Sequence, residues 1–168
     1  MKPRPTTVLY LILAVAAVGW AISRFGGDER RIHRRLDELR ALIEKEGEES
    51  GFATARRAQR LGELFAGDFE LDLAPYGLVV RDRGELARIF ARYRAGPEQI
   101  RLRFRRPAID LGAGGRHATV TLVAAVTARW PDRLGREAYR LELRLVDDGA
   151  WRIQHLELLE VLDGPDWL

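Results

Sequence analysis

The chain contains no cysteine in 168 residues, which excludes disulfides, thiolate metal ligands, a thiol nucleophile and lipid attachment through a thiol. Lysine is nearly absent too: Lys2 and Lys45 stand alone, so almost all of the 28 basic residues are arginine. Against 25 acidic residues they leave a formal net charge of only +3, although the pI is 9.7. A nucleic-acid surface needs basic residues gathered on one face with stacking aromatics, whereas residues 28–49 mix both signs closely, so a nucleic-acid partner is not expected. The histidines, His33, His117 and His155, are isolated and show no HExxH spacing, and there is no GxSxG. No metal site, no cofactor and no nucleophilic serine elbow are expected.

Charge is missing altogether between Pro5 and Ser23, a stretch flanked by Lys2, Arg4 and Arg24. At 1.5 Å per helical residue it extends roughly 28 Å, close to the hydrocarbon thickness of a bilayer. Tyr10 and Trp20 sit near the ends of its apolar core, where interfacial aromatics are favoured. Residues 1–4 therefore read as a basic tail and 5–24 as a transmembrane anchor or uncleaved signal anchor. Cleavage near Ala17-Val18-Gly19 or Ala21-Ile22-Ser23 is the alternative. Arg24, Arg30, Arg31, Arg34 and Arg35 pull the charge rule towards an inside domain. A short basic tail before one apolar helix is nevertheless the usual signal-anchor arrangement, and a single-pass protein with an extracytoplasmic domain is expected.

The remaining residues, 28–162 with a short tail at 163–168, suffice for one domain. Ile32, Leu36, Leu39 and Ile43 recur at helical spacing, and a helix is expected over 28–46. A second is expected from about Phe52 to Phe65. Phe69, Leu71 and Leu73 alternate with acids as in a half-buried strand. Asp82 with Glu85 makes a capping-box-like start for a third helix, whose stripe is Leu86, Ile89, Phe90 and Tyr93 and whose end is Gly96-Pro97. Four strands follow, 99–111, 116–130, 136–146 and 150–162, separated by Gly-rich or Asp-Gly turns. The run Gly112-Ala113-Gly114-Gly115 lacks the lysine and helix of a phosphate loop and reads as a turn. The fold class is α+β: three helices packed on a curved antiparallel sheet.

This order, with GELARIFARYRAG on the third helix and GAWRIQHLEL at the last strand, resembles the nuclear-transport-factor-2-like superfamily, including SnoaL-like proteins. The resemblance covers about 28–162 and implies a sheet wrapped into a cone whose mouth holds a ligand or an active site. Many members only bind or scaffold, so it implies the fold more than an activity. Resemblance to ketosteroid isomerase would require a tyrosine in the first two helices, which this chain lacks. The acid relay of epoxide hydrolases is not identifiable either.

In such a cone the inward faces would carry Ile100, Leu102 and Phe104; Val120, Leu122, Ala124 and Val126; Tyr139, Leu141, Leu143 and Leu145; and Trp151, Ile153 and His155. Of these Phe104, Tyr139, Trp151, Ile153 and His155 are the candidate ligand-binding residues. His155, Asp110 and Tyr93 are the candidate acid-base groups. A bulge at Arg106-Pro107 would turn Asp110 outward and bury Ile109 and Leu111 instead. Arg101, Arg103 and Arg105 alternate on one strand, and Arg140 and Arg144 on another, making a basic outer face suited to acidic lipid head groups or an acidic partner.

Two functions follow. The first is a membrane-anchored, non-enzymatic binding or scaffold module of an envelope assembly, with a protein partner, a second copy or an apolar small molecule on its cone and sheet. The alternative is an isomerase, dehydratase or hydrolase with its active site in the cone.

Overall fold

A computed structural model describes residues 26–162. The expected anchor at 5–24 and the tail at 163–168 lie outside the described residues. Among these no helix is long and apolar enough to cross a membrane.

The chain runs α1 (26–43), β1 (Lys45–Glu46), α2 (Gly51–Glu63), β2 (Phe65–Leu73), a 3-10 turn (Ala74–Tyr76), β3 (Leu78–Val80), α3 (Arg83–Ala95), β4 (Gln99–Leu111), β5 (His117–Arg129), β6 (Leu134–Asp147) and β7 (Trp151–Leu162). The strands form one sheet in the order β1-β4-β5-β6-β7-β2-β3. It is mixed rather than antiparallel throughout, because β2 runs parallel to β7. The chain leaves β2 through β3 and α3 and enters the meander at β4, so β7 returns to the β2 edge in the same direction.

Local chemistry sets the boundaries. Ser50 caps α2 by accepting from the Ala53 amide at 3.2 Å, and Asp82 caps α3 by accepting from Glu85 at 2.8 Å. Gly114 and Gly115 adopt positive φ in the β4–β5 turn, which closes through Gly112 N–H to His117 O at 2.9 Å; the Gly-rich run is thus a hairpin loop. The first helix ends earlier than its periodicity implies, since Lys45 and Glu46 pair as a short strand with Ile100 and Gln99.

That early end is fixed by a buried arginine. Arg94, with its side chain 1% exposed, donates to the carbonyls of Leu42 (3.0 Å), Ile43 (2.6 Å) and Glu44 (3.2 Å), groups a helix end leaves without partners. Its guanidinium also pairs with Glu49 at 2.7 Å and lies 5.1 Å over the Phe90 ring. Lys45 reciprocates by donating to the carbonyls of Arg94 and Pro97 at 2.9 and 2.8 Å. The C-terminal ends of α1 and α3 are so locked together, one residue away from Tyr93.

All three helices lay apolar stripes on the sheet. Ile32, Leu36 and Leu39 of α1, Leu61 of α2 and Leu86 and Phe90 of α3 join one buried cluster with Val120, Leu122, Leu143, Leu145, Trp151 and Ile153. Three bulges bend the long strands: at Arg106-Pro107 in β4, near Leu159 in β7, and at Gln154 in β7.

Candidate functional site

The side chains of the sheet's inner face fill one end and leave the other hollow. At the filled end Val120, Leu143, Leu145, Trp151 and Ile153 are buried to within 1% and packed against Ile32. Towards the other end, Phe104, Ala124 and Tyr139 lie side by side across β4, β5 and β6. The small Ala124 between two large neighbours leaves space that neither α1 nor α3 fills. The result is a cavity of about 530 Å³, within the usual range for small-molecule sites. Its walls are apolar, drawn from Leu39 and Ile43 of α1, Leu71 and Leu73 of β2, Ile89 and Phe90 of α3, and Leu102, Val126 and Leu156 of the sheet.

Polar groups enter at one place. The 3-10 turn supplies Tyr76, the last turn of α3 supplies Tyr93, and the start of β6 supplies Glu137 and Tyr139, all lining the cavity. Glu137 and Tyr139 are two residues apart on one strand and share its inner face. The Tyr139 hydroxyl donates to the Glu137 carboxylate, and the Tyr76 hydroxyl donates to Tyr139 at 3.5 Å. Burial first, and then these hydrogen bonds, push the Tyr139 phenol far above the ordinary tyrosine range. Tyr93 is raised as well, by burial and then by the charge of Glu137. Both phenols therefore keep their protons to higher pH than an exposed tyrosine does. Tyr76 and Tyr93 are 59% and 45% exposed, which places the cluster at the mouth.

His155, expected among the lining residues, lies elsewhere. Leu145 pairs with Ile153 and Arg144 with His155, so Gln154 is an extra residue that reverses the phase of β7. Leu156 and Leu158 then face the cavity, and His155 turns to the outer side, 3.7 Å from both Glu70 and Glu157. Trp151 and Ile153 face inward but belong to the packed end and do not line the cavity. Asp110 is exposed: the bulge at Arg106-Pro107, where Arg106 takes φ 50°, leaves Ile109 and Leu111 against the core. Of the sequence candidates, Tyr93, Phe104 and Tyr139 are brought together at the cavity; His155, Asp110, Trp151 and Ile153 are not.

A SnoaL-like domain model matches residues 52–157, more than half of the chain. The chain belongs to the SnoaL-like domain family. No curated protein matches it. Among solved structures, this SnoaL-like domain is similar to a provisionally named scytalone dehydratase from Novosphingobium aromaticivorans, with a TM-score of 0.67 and 16% identity over 87% of this chain and 91% of that one. It is also similar to a protein of unknown function from Mycobacterium tuberculosis, with a TM-score of 0.68 and 16% identity over 85% and 76% of the two chains. A nuclear-transport-factor-2-like protein with a cystatin-like fold from N. aromaticivorans matches at a TM-score of 0.66 and 17% identity over 88% and 90%. At these identities the likeness shows the fold alone.

On the outer face of the SnoaL-like sheet, Arg101, Arg103, Arg140 and Arg144 are exposed and Arg105 is half-buried. Acids interrupt this face: Arg140 lies 3.4 Å from Glu160 and Arg144 3.0 Å from Glu142. The expected basic surface is thus partly neutralised on β6. Among the described residues no cluster of metal-binding side chains is present.

Sequence reasoning missed Glu137 and Tyr76. Glu137 carried a usable signal, since it has the same strand parity as Tyr139. Tyr76 follows Pro75 in an irregular turn and has no periodicity to place it.

Proposed function

We propose that the chain is a small-molecule-binding module whose ligand is an apolar compound seated in the cavity, with one polar group at the Glu137, Tyr139, Tyr76 and Tyr93 cluster. The observation that carries this reading is the cavity itself, about 530 Å³, apolar over most of its lining and polar at one place only. Residues 5–24 would tether the module to a membrane, with the domain extracytoplasmic, as part of an envelope-associated assembly. The charge-free length from Pro5 to Ser23 supports the tether, and the short basic tail ahead of it supports the orientation.

A catalytic reading has one supporting observation. A carboxylate and a phenol in hydrogen-bond contact beside an apolar cavity are a base and a proton donor, the pair an isomerase or dehydratase requires. Glu137 and Tyr139 would then take the roles that the sequence offered to His155 and Asp110.

Native mass spectra of the full chain, purified gently from its host in lipid nanodiscs and ejected from them, test the binding reading. A discrete small-molecule adduct that disappears in Ala124→Leu is expected. Bare protein under the gentlest ejection, with wild type and variant alike, would contradict it. Turnover of the adduct compound, lost in Glu137→Gln, would decide for the catalytic reading.

A further inference from the structure

The cavity's lining is electrically one-sided. No lysine or arginine among the described residues lines it, in a chain that has 28 of them, and the one formally charged lining residue among those described is Glu137. Among the described residues no arginine, lysine or histidine pairs with that carboxylate, although acids elsewhere on the surface are widely paired, as Glu70 is with Arg81 and Glu142 with Arg144. Tyr139 donates to one Glu137 oxygen, Oε2. Around this carboxylate stand three tyrosines, each delivered by a different element, and two of them are largely exposed.

An unpaired carboxylate beside electron-rich rings, at the edge of an apolar volume, attracts positive charge twice over. The carboxylate supplies a point charge, and phenol faces supply the quadrupole attraction that retains alkylammonium groups. An anion would meet Glu137 with no compensating cation. A neutral alcohol would gain hydrogen bonds from the tyrosines but nothing from the charge.

We propose that the mouth recognises a cation: the ligand is an apolar molecule bearing an ammonium or alkylammonium group, with its apolar body in the cavity and its charge at Glu137, Tyr76, Tyr93 and Tyr139. This rests on the cavity being a small-molecule site. Tyr139 is a positioning residue here, because its hydrogen bond fixes the Glu137 carboxylate at the mouth.

The test is calorimetric titration of the full chain in zwitterionic lipid nanodiscs, with empty nanodiscs subtracted, using octyltrimethylammonium, 1-octanol and octanoate. The cation is expected to bind about tenfold more tightly than the alcohol, the range a cation–ring and charge contact supplies, and octanoate most weakly. Glu137→Gln should bring cation and alcohol to similar affinity, and an unchanged urea midpoint certifies that the variant is folded. Tyr76→Leu should weaken the cation more than the alcohol. Equal affinity for all three probes, tightest binding of octanoate, or an unaltered preference in Glu137→Gln would each overturn the cation site and leave the cavity reading standing. If none of the three binds, the cavity reading falls and the cation site with it.

Discussion

Tyr139 donates its phenolic hydrogen to Glu137, two residues earlier on β6, and both side chains face the same cavity. Strand periodicity makes that meeting automatic, since residues i and i+2 project to one side. Few arrangements bring a carboxylate and a proton donor together so cheaply in sequence. The chemistry of the mouth depends on this pair keeping its face, and the register of β6 against Ala124 and Val126 of β5 holds it there.

The raised Tyr139 phenol predicts how stability varies at alkaline pH. From an ordinary value of 10.0, burial and then its hydrogen bonds raise the group in the folded chain. Below about pH 10 both folded and unfolded chains hold the proton, so the contribution is fully present. Above that value only the folded chain keeps it, and stability falls as pH rises. Urea midpoints should decline from about pH 9 to about pH 11, and the decline should be shallower in Tyr139→Phe. Identical slopes in the two proteins would contradict the assignment.

Ala124→Leu should fill the hollow between Phe104 and Tyr139. Because the added atoms enter existing space, stability is expected to stay level or rise by about 1 kcal/mol, while binding of apolar ligands is lost. A loss of about 2 kcal/mol in thermal or urea unfolding would mean that the space is already occupied by side chains.

His155→Ala should leave ligand affinity within about twofold, because the bulge at Gln154 turns the imidazole towards Glu70 and Glu157 on the outer face. A tenfold loss in the same titration would show that the last strand lacks its bulge in solution.

Arg94→Met should destabilise the domain by about 3 kcal/mol in urea unfolding, since it strands the carbonyls of Leu42, Ile43 and Glu44 and removes the buried partner of Glu49. A neighbouring surface change, Arg92→Met, should cost less than about 0.5 kcal/mol.

Where local chemistry determines structure, the sequence was readable. Asp82 and Gly96 bound α3 as expected, and β4 spans the residues its alternation implies, because caps and period-two patterns act within a few residues. The bulge at Arg106-Pro107 was readable for the same reason: proline cannot donate to a ladder. The bulge at Gln154 has no such marker, and an unmarked extra residue moved His155 from the inner to the outer face. Leu86, Ile89, Phe90 and Tyr93 read as a helix stripe and are one, yet three of them border a cavity as well as a core. Whether a stripe meets a neighbour or a void is decided by distant partners such as Ala124, which no local pattern reports. The parallel pairing of β2 with β7 and the burial of Arg94 between two helix ends are likewise long-range results.

Methyl-resolved NMR of the full chain in lipid nanodiscs, titrated with 1-octanol, tests the central claim that the domain encloses an open ligand site. The methyls of Leu102, Ala124, Val126 and Leu141, which line the cavity, should shift in a saturable way, while those of Val120, Leu143 and Leu145 at the packed end stay in place. Cavity methyls that do not move, or shifts scattered over the outer face of the sheet, would contradict it.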